Sequence, residues 1–250
     1  MGRVFYYEFR RQAANKFFAG LLALCLAVAW LTLSTSVIKG VAGTAPFSAW
    51  SFGCFMAQMQ PLFALALLFG LRTVFSPAAR QAGELTSATP VDKRAYGLVK
   101  CGAVAASWLI ILICTIALGL GFLISIFGNA LPAGEIMLVC VLETLPAAAF
   151  FFGAGLLAGQ LNKWPGLAAL FMAAVISFLP LPGYAALFDI GFYTQYPLSL
   201  GVTDPALSLP AAFIAGKAAF AAAGALLIFV NYRVISTKLR LSVILKTTTG

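Results

Sequence analysis

Residues 98–127 read LVKCGAVAASWLIILICTIALGLGFLISIF, and from Cys101 to Phe127 no side chain carries a charge. A helix needs roughly 20 apolar residues to cross about 30 Å of hydrocarbon. This run is therefore long enough to tilt within a bilayer or to project beyond it. It is also continuously apolar. A transmembrane β-strand would alternate in hydrophobicity over about 10 residues, so the pattern argues against a barrel. Comparable runs flank it on both sides, and together they predict spans at 17–38, 47–71, 98–127, 136–159, 164–179 and 209–230. The fifth is broken by Pro180, Pro182 and Gly183, after which an apolar stretch continues from Tyr184 to Ile190. Residues 191–208 are aromatic and read as turn-rich. The expected fold is an all-α integral membrane protein with six transmembrane helices in one domain, residues 1–250.

The composition agrees. The chain is 62% hydrophobic and only 9% charged, where a soluble domain carries about 25% charged residues. Too little charge is present to cover a water-exposed surface, so the apolar side chains must face lipid or one another. The apolar run of the first span continues past Ala29 to Val37 and Ile38, too long for a cleaved signal peptide, and reads as an uncleaved span. The five cysteines, Cys25, Cys54, Cys101, Cys114 and Cys140, fall within or at the ends of apolar segments, form no close pair, and read as small buried hydrophobes.

The formal charge of +9 raises the question of a nucleic-acid partner. Its distribution points elsewhere. With six alternating spans and a cytoplasmic N-terminus, Arg3, Arg10, Arg11 and Lys16 lie inside, as do Arg72, Arg80, Lys93, Arg94 and Lys100, then Lys163, then Arg233, Lys238, Arg240 and Lys246. Lys39 alone falls outside, with Glu135, Asp189 and Asp204, and Lys217 lies within the sixth span. This is the positive-inside pattern. It places both termini in the cytoplasm of a cell membrane, leaves no excess charge for nucleic acid to explain, and gives the inner rim an affinity for anionic lipid headgroups.

Two cytoplasmic stretches have a pattern of their own. In RVFYYEFRRQAANK, residues 3–16, Tyr6, Phe9, Ala13 and Phe17 recur at helical spacing, with Glu8, Arg11 and Asn15 on other faces. This predicts a short amphipathic helix on the inner leaflet; the alternative is a charged flank that only fixes topology. Between the second and third spans lies FSPAARQAGELTSATPVDKRAYGLVK, residues 75–100. Pro77 can open a helix over 78–88, Pro90 ends it, and a second helix leads from Val91 into the third span. A helix projecting there is suited to taking force from a cytosolic partner.

The residues Gly83, Glu84, Leu85, Thr86, Ser87, Pro90, Val91, Lys93, Arg94, Gly97 and Lys100 of this loop resemble the type-2 ATP-binding-cassette permease family. The motif covers about 20 residues, and the layout of the whole chain is similar to the family's. Where the family commonly has a longer acidic run before the Gly-Glu pair, Ser76–Ala82 is short and basic. The resemblance implies an N-terminal interfacial helix, a cytoplasmic coupling helix between spans two and three, and a broken hairpin before span six. It also implies pairing with a second permease copy or a homologous permease, and a cytosolic ATPase docked on Arg80, Glu84, Leu85, Pro90, Lys93 and Arg94. ATP and Mg would be bound by that partner. The chain itself has no G-x-x-x-x-G-K-[ST] phosphate loop, and no cofactor or metal is expected on it.

Four polar residues inside the spans are candidates for a cavity or an intramembrane contact. Glu143 in the fourth span and Lys217 in the sixth each lie about seven positions from the outer end, roughly 10 Å deep at 1.5 Å per residue. Charges at such depth pair or face water. They are expected either to form an ion pair or share a polar cavity, or to stand apart, with Lys217 reaching outward and Glu143 protonated or bonded to a neighbouring helix. Gln58 and Gln60, two apart, point to opposite faces of the second span, one towards a neighbouring helix and one towards a cavity. Trp50, Trp164, Tyr184 and Tyr193 read as interface anchors, and Gly153, Gly155 and Gly159 as points of close helix packing.

These features favour the transport subunit of an ATP-driven exporter. An ion-coupled secondary transporter is the alternative, but it would need midplane coupling charges and usually an internal repeat. With no histidine and no G-x-S-x-G nucleophile motif, no catalytic constellation can be assembled.

Overall fold

The computed structural model describes residues 2–41, 43–76, 93–128, 131–160 and 190–248. The described residues are helical, with no strand among them. In chain order the helices are α1 (Gly2–Ala13), α2 (Lys16–Thr35), α3 (Ala49–Val74), α4 (Lys93–Phe127), α5 (Ala133–Gln160), α6 (Ile190–Ser199) and α7 (Ala211–Thr248), with a 3-10 turn at Val37–Lys39. Five segments are long and apolar enough to cross a membrane: Lys16–Lys39, Ala49–Val74, Ala95–Phe127, Ala133–Gln160 and Ala211–Arg233. They match five of the six expected spans to within a few residues. The expected span at 164–179 and the loop helix at 78–88 lie outside the described residues.

Local chemistry sets the helix ends. Asn15 caps α2, its Oδ1 accepting the Phe17 N–H at 3.1 Å, and Ser48 caps α3, its Oγ accepting the Ser51 N–H at 3.2 Å. Gly128 closes α4 with φ 65°, its N–H donating to Ile124 O, a left-handed position that suits glycine. Beyond the expected sixth span, which ends at residue 230, the chain continues as α7 to Thr248.

α3 is the central helix: 72% of its spanning window is buried, against 17–28% for α2, α4 and α7. Gly119 of α4 packs on Phe52 and Phe55, and Gly70 of α3 packs on Val104, so α4 runs antiparallel to α3. α5 runs parallel to α3, since Gly155 meets Leu68 and Leu71, and Gly159 meets Phe75. α7 runs parallel to α5. Their contacts climb in step from Glu143–Lys217 to Gly153–Gly224 to Gln160–Asn231. One end of the bundle therefore carries the starts of α3, α5 and α7, and the other carries the starts of α2 and α4. Outward-facing Leu24, Trp30, Leu31, Leu109, Ile113, Met137, Leu145, Leu226 and Phe229 are between 42% and 63% exposed. An apolar belt of this extent is what a lipid-facing surface requires.

α1 forms over most of the expected stretch and packs on α4. Glu8 and Gln12 are buried against α4, where Tyr96 Oη donates to Glu8 Oε1 at 3.2 Å and Ser107 Oγ to Gln12 Oε1 at 3.1 Å. Arg11 Nη2 stands 2.7 Å from Glu8 Oε2, near enough for an ion pair but outside hydrogen-bond geometry. Tyr6, Tyr7 and Phe17 point outward. Part of the polar face thus turns to the protein, where α4 offers hydroxyl donors, while Arg11 remains exposed.

Candidate functional site

The end of the bundle formed by the starts of α3, α5 and α7 holds the most concentrated polar chemistry. Lys217 Nζ lies 2.8 Å from Glu143 Oε2, and the two side chains are 3% and 0% exposed. Tyr193 Oη donates to the other carboxylate oxygen, Glu143 Oε1, at 2.8 Å. Three elements converge here: α5 brings Glu143, α6 brings Tyr193 and α7 brings Lys217. Glu143 is ten residues into α5 and Lys217 six into α7, so the pair sits about 15 Å and 9 Å along its helices. Of the two sequence alternatives, the structure brings the charges together.

Aromatic rings seal the pair. Lys217 Nζ lies 5.2 Å from the Phe213 ring centroid, a favourable place for a cation. Phe213 stacks on Phe192 at 4.1 Å, and Phe192 stacks on Tyr196 at 5.1 Å. Trp50 faces this group, 6.3 Å from Tyr193, and its Nε1 donates to Pro205 O at 2.9 Å. Tyr193 lies directly over Gly53, where a Cβ would overlap its ring. Asp204, at φ 53°, turns the chain back and accepts the Ala45 N–H on Oδ1 at 2.9 Å. This ties the segment before α7 to the loop between α2 and α3.

Trp50 and Tyr193 are thus corrections to the sequence reading. They are buried, at 1% and 0% exposure, and belong to the core rather than to a membrane interface. Residues 190–199, read as turn-rich, form α6. The pattern that could have revealed this is the placing of Phe192, Tyr193 and Tyr196 on one side of a helix (i, i+1, i+4). Trp164 and Tyr184 lie outside the described residues.

The glutamines diverge as their spacing predicts. Gln58 is half-buried, its Nε2 donating to Cys54 Sγ at 3.3 Å. Gln60 is buried beside a narrow gap lined by Trp108, Ala147 and Phe151, and its Nε2 has no hydrogen-bond partner among the described residues. Arg80, Glu84, Leu85 and Pro90 lie outside the described residues, as do the side chains of Lys93 and Arg94, whose backbone opens α4.

Chemically, the arrangement neutralises two charges that lipid would otherwise penalise by several kcal/mol each. It fastens α6 onto α5 and α7. Tyr193→Phe removes a hydrogen bond to a charged group and is expected to cost about 1.5–3 kcal/mol of stability. Thermal unfolding in detergent checks this, and an unchanged midpoint would remove the hydroxyl from the account. Comparison of the chain with protein-family models, with curated proteins and with solved structures returned no match.

Proposed function

We propose that the chain is the membrane permease subunit of an ATP-driven transporter of the type-2 ATP-binding-cassette kind, working as an exporter. The observation that carries this reading is the clasp between α1 and the first turns of α4, made by Tyr96 to Glu8 and Ser107 to Gln12. Tyr96 lies within residues 83–100, which resemble the family's coupling segment, and Ser107 about two turns beyond them. α4 is 35 residues long, about 52 Å at 1.5 Å per residue, so its start extends well beyond a 30 Å core. A push on residues 77–92 would reach α4 directly and α1 through the clasp. ATP and Mg would be handled by the partner ATPase, and a second permease copy or homologous permease would complete the cavity.

The parallel run of α5 and α7 supports a six-span layout. Gln160 and Ile190 lie at opposite ends of the bundle, the two ends that the expected span at 164–179 would join. On that layout both termini lie on the cytoplasmic side of the cell membrane. Of the lysines and arginines among the described residues, all but Lys39 and the paired Lys217 gather there, beside anionic lipid.

The test is purification of the tagged chain in mild detergent from its native membrane. A stoichiometric cytosolic ATPase is expected, lost on Glu84→Ala with Arg94→Ala. A chain that purifies alone in repeated mild preparations would sink the reading. It would shift weight to the ion-coupled alternative, for which the buried Glu143 carboxylate is the specific support; proton-dependent uptake abolished by Glu143→Gln would then be expected.

A further inference from the structure

At the opposite end of the bundle from the Glu143 group, α2 and α3 part and leave a cavity of about 310 Å3 floored by α4. That volume falls in the range of small-ligand pockets, about 300–1,000 Å3. Its body is apolar, walled by Leu21, Leu24, Phe69, Trp108 and Ile111. Leu24 and Phe69 are each 49% exposed, so the cavity opens sideways between α2 and α3, through the belt that faces lipid.

One end of it is polar, lined by Gln12, Asn15, Lys16 and Ser107. Gln12 lines the cavity, is 6% exposed, and uses Oε1 to accept the Ser107 hydroxyl, while its Nε2 has no partner among the described residues. Burying such a donor unpaired costs about 1–3 kcal/mol, which an acceptor brought by a ligand would recover. Lys16, the first residue of α2, stands at the same end, where the positive end of the helix dipole adds to its charge. Cation, amide donor and helix start together call for an anionic head rich in oxygen acceptors. The apolar wall and lateral opening call for a chain that arrives from the bilayer.

We infer that this cavity holds one acyl chain of an anionic phospholipid, with its phosphate or ester oxygens on Gln12 Nε2 and Lys16 Nζ. The site rests on the membrane-spanning fold and needs no ATPase, so it stands or falls separately from the transport reading.

The test is native mass spectrometry of the delipidated full chain in detergent, titrated with phosphatidylglycerol, phosphatidylcholine or inorganic phosphate. One phosphatidylglycerol is expected to bind at least about tenfold more tightly than phosphatidylcholine, the factor that 1.4 kcal/mol of charge-assisted contact supplies. Lys16→Gln should erase that preference. Gly20→Phe should abolish the tight site, because Gly20 lines the cavity and a Cβ there meets no heavy atom within 4 Å. Its ring can enter the space without displacing the fold, which an unchanged unfolding midpoint verifies. If Gly20→Phe does not fold, Gln12→Leu serves instead, since Ser107 keeps Val104 O as an acceptor at 2.9 Å; affinity should then fall about tenfold. Tight binding that survives the folded variant, absence of any headgroup preference, or displacement of the lipid by millimolar phosphate would each overturn the inference.

Discussion

Lys217→Met is expected to destabilise the protein by about 3–5 kcal/mol, the cost of leaving one partner of a buried ion pair uncompensated. Glu143 is fully buried and Lys217 nearly so, so water cannot take over the role of the missing ammonium. The carboxylate would have to ionise in an apolar enclosure or take up a proton. Glu143→Gln alone should be milder, because the amide oxygen can still accept from Lys217 while its NH2 donates to the Tyr193 oxygen, though the ammonium loses its counter-charge. The informative variant is the pair. Lys217→Met with Glu143→Gln leaves no net buried charge and should recover much of the loss, since replacing a whole buried pair by neutral groups is often tolerated. A double-mutant cycle on thermal unfolding in detergent measures the coupling. Additive effects of the two substitutions would refute the view that the pair acts as a unit.

Gly224→Val should be comparably damaging for a steric reason. A Cβ at Gly224 would lie 2.6 Å from the Ala149 carbonyl oxygen, with the Phe150 amide equally close. Across the same crossing, a Cβ at Gly153 would lie 2.7 Å from Gly224 O and 2.8 Å from Leu227 Cβ. Backbone meets backbone here, so no rotamer change relieves the clash. The cost should reach or exceed the upper end of the usual 1–3 kcal/mol for overpacking, taken as about 3 kcal/mol. The α5–α7 separation would have to widen, which pulls on Glu143 and Lys217 two turns away. Gly121→Val is the matched control, because a Cβ at Gly121 meets nothing within 4 Å. Equal unfolding midpoints for the two variants would show that the crossing is not tight.

The spans were legible because lipid demands long uninterrupted apolar runs, and runs such as 101–127 admit only one reading. Glycine packing was legible for a related reason: without a hydrophobic force between helices in lipid, close approach depends on small residues. The Glu143–Lys217 contact could be posed from matching depths, but depth does not specify rotation about a helix axis, and two outcomes stayed open until the contact was seen. Tyr193 and Trp50 were misplaced because an aromatic with a polar tip near a span end looks the same whether it faces headgroups or a buried carboxylate. The contacts made by the polar face of α1 are hidden from the sequence for a similar reason. Nothing within residues 3–16 announces that Tyr96 and Ser107, some ninety residues later, would supply its donors.

The Glu143–Lys217 pair joins residues 74 positions apart in the chain, which sets a delay on biogenesis. At about 5–20 residues per second, the ribosome completes Lys217 roughly 4–15 s after Glu143. Throughout that interval the carboxylate lacks its ammonium, and for the first 50 residues of it the Tyr193 hydroxyl as well. It must be held as the neutral acid, or beside water or the insertion machinery, because hydrocarbon will not accept it charged. α7 is therefore the helix whose synthesis lets α5 settle. A nascent chain that stops short of residue 217 carries an unmatched acid within its apolar segment, a mark by which an incomplete copy differs from a finished one.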